Sequence, residues 1–312
     1  MILTVTPNAA LDRVMFIDEF RPGTSMRTAK MVDSVGGKGL DSSVALRTFE
    51  VDTLGLGFVA GHSGQLLVNL LDGYGIRYDL IWLEGDIRIA HVLVETLHHR
   101  HSHVIAGALP VPPEASADLL QRYRTHLRDA AWVIAAGSLA LGIPTSYYYT
   151  LTEMAHAANV PILIDGHGPP ILTALPAQPT ILKMNRAEFA QTFGSSAHTL
   201  ADLHWQGQAL REREKLPALV LTCGEEGILA LTPTGSYQAI SPIQPAVNAA
   251  GAGDTASAML AWRFSLGDSW PEALRWAAAA SAACVLTEGT AESRRTDVER
   301  ILPEVEVRLL DG

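Results

Sequence analysis

One glycine-rich segment, Asn248-Ala-Ala-Gly-Ala-Gly-Asp-Thr255, constrains this chain most, because it runs without a break into an apolar stretch that ends at Leu266. Its small residues Gly251, Ala252 and Gly253 allow a tight turn whose backbone N–H groups point into one concavity. The helix predicted after the turn adds the positive end of its dipole at the same point. The segment therefore predicts a site for an anion, or for negative charge that develops during a reaction.

A single carboxylate, that of Asp254, directly follows this turn. A negative side chain is unfavourable beside an anion unless it takes part in the chemistry, for example by accepting a proton from a substrate hydroxyl during phosphoryl transfer. The alternative is structural, with Asp254 as the N-cap of the helix. Short glycine motifs are weak evidence on their own, so the local spacing leaves both interpretations open.

Length and composition limit the classes of protein to which the chain can belong. Its 312 residues, 48% of them hydrophobic, suffice for one large α/β domain or two modest ones. A formal net charge of −10 disfavours nucleic acids and anionic membranes as partners. Cys223 and Cys284 are too few for a disulfide framework, and we find no signal peptide or membrane span, so we expect a cytoplasmic protein.

Strand and helix patterns alternate over most of the chain, which predicts an α/β fold with a largely parallel sheet covered by helices on both faces. The predicted strands of this sheet include residues 2–6, 54–59, 132–136, 161–164 and 216–221. Further short strands are expected at 14–20 and 29–35, and a hairpin at 88–97 and 103–108. For the histidines of its turn, at 98–101, we favour a solvated turn over a zinc site.

Polar residues follow the first predicted strand, where ligands bind in parallel α/β sheets. Asn8 and Asp12 lie four residues apart there, and they are candidates for binding sugar hydroxyls or for simply forming a turn. Next along the chain, Gly36-Gly-Lys-Gly39 precedes a predicted helix and suggests a second cradle for an anion or a hydroxyl. It lacks the spacing of a P-loop, so Walker-type nucleotide binding is not supported.

Taken together, these motifs resemble the PfkB carbohydrate kinases, a ribokinase-like family, and within it the branch of 1-phosphofructokinase and tagatose-6-phosphate kinase. The resemblance covers nearly the whole chain and rests on the order and separation of Thr4-Val-Thr-Pro-Asn-Ala-Ala-Leu-Asp12, Gly36-Gly-Lys-Gly39, Arg88, Asn185-x-x-Glu188, Thr222-x-Gly-x-x-Gly227 and Gly251-Ala-Gly-Asp254. It implies a single ribokinase-like kinase domain over residues 1–312. It also implies a small β-sheet lid in two pieces, at about 12–35 and 86–107.

The resemblance implies roles for the residues of the opening segment. Asp254 matches the catalytic base, and the N–H groups of Gly251, Ala252, Gly253 and Asp254 match the anion hole for the transferred phosphoryl group. Catalysis would then consist mostly of positioning and charge stabilisation.

The resemblance also implies ATP and Mg²⁺ as cofactors. Asn185 and Glu188 match a motif that organises Mg²⁺ largely through water, as suits an ion that dehydrates reluctantly. Thr222, Gly224 and Gly227 match the loop on which the ATP phosphates and ribose lie.

The sugar pocket of the family matches Asp12, Gly37, Lys38 and Gly39. Arg27 and Arg88 fall where the phosphofructokinase-like branch has basic residues. With Lys38 they predict a local positive pocket for an acceptor that already carries a phosphate. The alternative is that both arginines are ordinary surface residues of the lid strands.

The chain departs from the family pattern at several positions. Asp41 stands where the pattern Gly-Gly-Lys-Gly-x-Asn has asparagine, and an ionised carboxylate only accepts hydrogen bonds whereas an amide also donates them. We therefore expect this exchange to alter the acceptor sugar. Ala9 after Asn8, Met184 before Asn185 and the apolar neighbours of Arg88 also differ from the pattern.

The expected reaction is ATP-dependent phosphorylation of a hydroxymethyl group of a ketose phosphate, such as fructose 1-phosphate, fructose 6-phosphate or tagatose 6-phosphate. One alternative is a kinase of the same family that acts on an unphosphorylated sugar or a nucleoside. A second is a sugar- and nucleotide-binding protein without turnover. Because exposed lid edges need cover, which a second subunit often supplies in the family, we also expect a homodimer through the lid.

Overall fold

The computed structural model describes residues 1–98, 100–107 and 109–310, which form a ten-stranded and a four-stranded sheet. The strands are β1 (Ile2–Thr6), β2 (Ala10–Ile17), β3 (Lys30–Gly36), β4 (Thr53–Ala60), β5 (Arg77–Leu83), β6 (Arg88–Glu95), β7 (Arg100–Ile105), β8 (Trp132–Ala136), β9 (Ile162–Asp165), β10 (Ile181–Asn185), β11 (Leu219–Thr222), β12 (Ile228–Thr232), β13 (Gly235–Ile240) and β14 (Glu306–Leu310). The helices are α1 (Lys38–Arg47), α2 (Gly61–Tyr74), α3 (Pro113–His126), α4 (Tyr147–Ala157), α5 (Pro169–Ala174), α6 (Arg186–Phe193), α7 (Leu200–Glu214), α8 (Ala252–Ser265), α9 (Trp270–Cys284) and α10 (Arg295–Ile301). The predicted α/β class is confirmed.

The large sheet has the order β5-β4-β1-β8-β9-β10-β11-β12-β13-β14. In this order, the seven strands β5, β4, β1, β8, β9, β10 and β11 are parallel to one another. The remaining strands β12, β13 and β14 each pair antiparallel with their neighbours. The buried residues of β8 alternate between two cores, with Val133 and Ala135 on one face and Ile134 on the other. Because helices cover both faces, the parallel strands are apolar along their whole length rather than at every second residue.

The order of the strands reverses beside β1, which fixes where a ligand can bind. From β1 the sheet continues outward through β4 and β5 on one side and through β8 to β11 on the other. The crevice outside the carboxyl ends of parallel strands at such a reversal is the usual ligand site. Thr6, Asp165, Asn185 and Thr222 are the last residues of β1, β9, β10 and β11, so they share this edge.

The small sheet has the order β3-β2-β6-β7 and joins the two predicted lid segments. Its inner face packs Val14, Phe16, Val92 and Val94 against Ala250 of the glycine-rich segment. The lid therefore covers the predicted anion site. Apolar packing holds it there, because these side chains are withdrawn from water.

Two boundaries of the lid differ from the prediction. The strand β2 begins at Ala10 rather than residue 14, because Asp12 and Arg13 continue the ladder with β3 and β6. The strand β7 begins at Arg100. His101 is therefore partly buried in this strand, whereas the prediction placed it in a solvated turn. The predicted turn residue His99 and the predicted strand end Ala108 lie outside the described residues.

The alanine-rich helix α9 packs along α8. Ala277, Ala280 and Ala283 are fully buried, and their small side chains permit close approach. The hydroxyl of Ser281 donates to the carbonyl of Ala252 at 2.8 Å, which ties α9 to the first residue of α8. None of the helices in the described ranges combines the length and the apolarity that crossing a membrane requires.

Candidate active site

The glycine-rich segment forms a tight turn at the N-terminus of α8. Gly251 is the N-cap, with a φ of 83°, and a Cβ at this position would lie 2.2 Å from the backbone nitrogen of Ala291. The side chain of Asn248 fixes the turn, because it accepts from the N–H of Ala250 at 3.0 Å and donates to the carbonyl of Glu288 at 3.1 Å. Asp254 lies in the first turn of the helix, so it is not the N-cap that the structural alternative required.

The carboxyl group of Asp254 is buried, with 8% of the residue exposed. Burial, together with the negative charge of Asp165, raises the pKa of Asp254 to about 7, although the ammonium groups of Lys38 and Lys183 act in the opposite direction. A carboxylate with a pKa near neutrality is a far better proton acceptor than an ordinary surface carboxylate. This environment is what the predicted base needs.

A chain of buried charges lies beside this turn. Asp165 binds Lys183 at 2.6 Å and Lys38 at 2.7 Å, and Lys38 also binds Glu188 at 2.8 Å. Burial alone would raise the pKa of Asp165, but the charges of Lys183 and Lys38 hold this pKa below its usual value. A Cβ on Gly253 would lie 3.5 Å from the Lys183 nitrogen, so positive charge flanks the anion-binding turn.

Asp165 and Lys183 were not among the predicted site residues. The signal for Asp165 was its place at the end of a buried parallel strand, the same place that Asn185 occupies one strand further along. Lys183 lies inside the apolar strand β10 and is 2% exposed. A buried lysine needs a partner, but the sequence does not say that the partner is Asp165.

Asn185 and Glu188 form a capping box at the start of α6. The amide oxygen of Asn185 accepts from the N–H of Glu188 at 2.8 Å, and the Glu188 carboxylate accepts from the N–H of Asn185 at 2.9 Å. Burial alone would raise the pKa of Glu188. A hydrogen bond from His167 and the charge of Lys38 outweigh burial and hold this pKa well below its usual value.

This arrangement bears on the predicted Mg²⁺ site. No cluster of three or more acidic, histidine or cysteine ligands occurs in the part of the chain that the structure describes. The oxygens of an ionised carboxylate such as that of Glu188 have lone pairs for water beyond their protein contacts. The chemistry of these residues fits a hydrated Mg²⁺ held through water better than a cage of direct ligands, and the Mg²⁺ site stays a prediction.

A cavity of about 450 Å³ joins the predicted nucleotide loop to the anion-binding turn. Its lining comes from four parts of the chain and includes His101, Thr222, Gly224, Gly227, Ser241, Gln244, Ala252, Gly253, Ser281 and Val285. Gly227 has a φ of 86°, and a Cβ there would lie 2.0 Å from the carbonyl oxygen of Ala239. The structure thus brings the three predicted nucleotide residues to one cavity and adds His101 of the lid, which was not predicted.

Buried and half-buried polar side chains cluster where β1, β2, β6 and α1 meet, and we call this cluster the polar pocket. The amide nitrogen of Asn8 donates to the hydroxyl of Ser138 at 3.0 Å, and Arg88 donates to the Asn8 carbonyl at 3.1 Å. The hydroxyl of Thr290 donates to Asp12 at 3.0 Å. Burial raises the pKa of Asp12 to about 6, against the hydrogen bond from Thr290 and the charge of Arg88.

Three buried polar atoms of this pocket have no hydrogen-bond partner among the described residues. They are Oδ1 of Asn8, Oδ1 of Asp41 and Nε of Arg88. Buried polar atoms almost always have partners, so a group of unsatisfied donors and acceptors marks the place of a polar ligand. The pocket adjoins the predicted base, since the charges of Asp12 and Asp254 both act on Asp41.

The predicted glycines Gly37 and Gly39 serve the packing of α1. A Cβ on Gly39 would lie 2.4 Å from the hydroxyl of Thr6, and one on Gly37 would lie 2.7 Å from the methyl group of the same residue. Both glycines let α1 begin directly against β1. They thereby set the position of Lys38 and Asp41 at the strand edge.

The three basic residues predicted to form one positive pocket are not all brought together in the described residues, because Arg27 lies apart. Lys38 pairs with Asp165 and Glu188, because these carboxylates are buried beside it. Arg27 is exposed in the segment before β3, where the neighbouring Thr28 and Ala29 bond to Phe16. Phe16 and Ala10, the β-partner of Arg88, are six residues apart on β2, which is about 20 Å of strand. Arg88 therefore lies in the pocket, Lys38 faces Asp41 at its edge, and Arg27 lies away from both.

A model of the pfkB family carbohydrate kinases matches residues 5–297. The D-tagatose-1-phosphate kinase of Bacillus licheniformis is 29% identical over 95% of this chain and 96% of its own. The ATP-dependent 6-phosphofructokinase isozyme 2 of Mycobacterium tuberculosis is 27% identical over 96% of this chain and 88% of its own. The structure of a possible 1-phosphofructokinase of Thermotoga maritima superposes with a TM-score of 0.90, at 23% identity, with both chains fully covered, and so shares the fold.

We predict that Gly251→Ala destabilises the protein far more than Gly267→Ala. Both glycines have a positive φ, so an alanine costs about 1–2 kcal/mol of backbone strain at either position. Only the Cβ at 251 also meets another backbone, whereas nothing lies within 4 Å of one at 267. The midpoints of thermal unfolding measure the difference. Equal losses for the two variants would contradict the tight contact between this turn and Ala291.

Proposed function

Because the chain belongs to the pfkB family of carbohydrate kinases, we propose that it transfers the terminal phosphoryl group of ATP to a hydroxymethyl group of a ketose phosphate. Relatives that act on tagatose 1-phosphate and on fructose 6-phosphate, as their names state, support this class of acceptor. The observation that carries the proposal is the place of Asp254. It lies between the nucleotide cavity and the polar pocket. Both cysteines are free, which suits the cytoplasmic location that the proposal includes.

In the proposed reaction, Asp254 accepts the proton of the acceptor hydroxyl as the hydroxyl oxygen attacks the terminal phosphorus. The bond from that phosphorus to the bridging oxygen of ADP breaks, and the proton stays on Asp254. Negative charge on the transferred group is stabilised by the backbone N–H groups of residues 251–254 and by the ammonium groups of Lys38 and Lys183. The raised pKa of Asp254 makes it a suitable base.

Mg²⁺ belongs to the proposal as a hydrated ion, which would neutralise part of the charge of the ATP phosphates. Asn185 and Glu188 would hold its water molecules by hydrogen bonds, as their capping-box geometry allows. Lys38 keeps Glu188 ionised in that position. The four-stranded lid would keep bulk water from competing with the sugar as acceptor.

We predict that Asp254→Asn lowers kcat by about 10²- to 10⁴-fold, because the variant loses its base while the anion-binding turn remains. In the wild type, kcat should rise with pH and level off above about pH 7, since Asp254 is protonated and inactive below its pKa. A coupled assay of ADP release measures both effects. Asp268→Asn, just beyond the C-terminus of α8, where Asp268 accepts from Arg263, is the matched control and should keep full activity. Full activity of Asp254→Asn would refute its role.

We predict that Arg88→Ala raises KM for phosphorylated ketoses by about tenfold or more, because one charge-assisted contact to the acceptor phosphate is lost. KM for ATP should stay constant, since Arg88 does not line the nucleotide cavity. A panel of ketose phosphates, free sugars and nucleosides provides the measurement. Faster turnover of a free sugar or nucleoside than of any ketose phosphate would favour the alternative, a kinase of the same family that acts on an unphosphorylated sugar or a nucleoside.

The proposal includes a homodimer through the outer face of the lid. Met15 pairs with Met31 and Leu93 in the register of this sheet, and Val104 lies on the same face. Met31 is 52% exposed and Val104 is 57% exposed, so this face offers exposed apolar side chains to a partner, beside polar ones such as Arg13 and Asp33. An acceptor contact by Arg27 also belongs to the proposal and requires a second subunit, because Arg27 lies at the opposite end of β2 from Arg88.

We predict that the protein has twice its chain mass of 33.5 kDa in light scattering, and that the double variant Met31→Glu, Val104→Glu is a monomer. Four buried like charges at a twofold interface would prevent association. Trp205→Glu replaces a side chain of α7 that is 73% exposed, and this control should leave the mass unchanged. A monomeric wild type would remove the dimer from the proposal.

A further inference from the structure

Asp41 is the most unusual residue of the polar pocket. It lies in the first turn of α1, is 3% exposed, and has an Oδ1 atom without a hydrogen-bond partner among the described residues. The family pattern has asparagine here, an amide that both donates and accepts. An ionised carboxylate would remove the donor and add a negative charge where the proposed acceptor carries its phosphate.

Several charged and titratable groups face Asp41 from the elements packed around it. They are Lys38 on α1, Asp12 on β2, Tyr74 on α2, Arg88 on β6, Asp254 on α8 and Cys284 on α9. The two cations have other partners, since Arg88 donates to the backbone of Asn8 and Lys38 pairs with Asp165 and Glu188. Two carboxyl groups, of Asp12 and Asp254, therefore share this confined space with Asp41.

Such surroundings favour the uncharged form of a carboxyl group. An ionised Asp41 would be buried beside two other acids, and its Oδ1 has no hydrogen-bond donor to compensate the loss of water. Burial first, and then the charges of Asp12 and Asp254, raise the pKa of Asp41 well above its usual value, more than Arg88 and Lys38 lower it.

We propose that Asp41 keeps its proton at neutral pH and, as a neutral carboxyl group, donates a hydrogen bond to a hydroxyl of the acceptor sugar. A protonated carboxyl group has one donor and remaining acceptor capacity, so it offers the sugar the same pair of functions as an amide. The exchange of asparagine for Asp41 then preserves recognition of a neutral hydroxyl. This corrects the expectation that the exchange alters the acceptor sugar, which assumed an ionised side chain.

The inference rests on the proposed function, because it takes the polar pocket as the acceptor site. It also adds a pH dependence opposite in sign to that of Asp254. As pH rises through the pKa of Asp41, the donor is lost and a negative charge appears near the acceptor phosphate. Acceptor binding therefore weakens at alkaline pH, while kcat has already reached its plateau.

Kinetics of Asp41→Asn and Asp41→Leu test the inference on the acceptor that the panel identifies. Asp41→Leu, of similar size but without a donor, should raise the acceptor KM at least about tenfold more than Asp41→Asn. The wild-type acceptor KM should rise at alkaline pH, and that of Asp41→Asn should stay flat. Equal losses in both variants, or the same alkaline rise in Asp41→Asn, would overturn the inference. Preference for an ammonium-bearing sugar, lost in Asp41→Asn, would also overturn it, because that result requires an ionised Asp41.

Two measurements without turnover separate this inference from the proposed function. The infrared difference spectrum of the wild type minus Asp41→Asn near neutral pH should contain a protonated carboxyl band, because the bands of Asp12 and Asp254 cancel, and that of the wild type minus the exposed control Asp52→Asn should not. Asp41→Asn should also melt at a higher temperature than the wild type near pH 7 but not near pH 4. The reason is that the folded wild type retains a proton that the unfolded chain releases.

Absence of the band, or a melting difference of the opposite sign, would overturn the protonation of Asp41 even if the enzyme phosphorylates ketose phosphates. Failure of every sugar in the panel would overturn the proposed function and, with it, the contact to the acceptor. In that case the band and the melting difference would still decide the protonation state.

Discussion

The ion pairs of Asp165 with Lys38 and Lys183 are the interaction on which the site depends. Asp165 and Lys183 are buried and Lys38 is half-buried, and because a buried charge is costly without partners, each of the three groups stabilises the others. The unit joins α1, β9 and β10 at the carboxyl edge of the sheet. It also sets the pKa of Asp254, because the two ammonium groups offset part of the effect of burial and of Asp165. Anion binding and proton acceptance thus rely on one set of charges.

The loop after α9 contacts both the anion-binding turn and the acceptor pocket, and it holds these two halves of the site in a fixed relation. Asn248 of the anion-binding turn donates to the carbonyls of Glu288 and Gly289. The next residue of the loop, Thr290, donates to Asp12 in the acceptor pocket, and Ala291 packs against Gly251. Since the same few residues contact both halves, a displacement of one half would displace the other. This loop carries no motif, and its role was not visible in the sequence.

Local sequence patterns sufficed to predict the elements that have a strong hydrophobic period or a clear turn residue at one end. The alternation of apolar strands and helices predicted the parallel sheet, and glycine at 251 predicted the turn before α8. The prediction was weaker where polar residues continue a strand, as at Asp12 and Arg13, or where a histidine belongs to a strand of the lid, as His101 does. In both cases pairing with neighbouring strands outweighed the local preference of the residues for turns and solvent.

The sequence by itself determined the family, the order of the motifs and the residue types at the site, since these follow from neighbours along the chain. Only the tertiary structure decided which charges pair. Lys38 pairs with Asp165 across 127 residues of sequence, and Arg27 lies at the opposite end of β2 from Arg88, whereas the sequence predicted one positive pocket of all three. It also decided the environment of Asp41, because pKa depends on burial and on charges brought close through space, and neither is a property of local sequence.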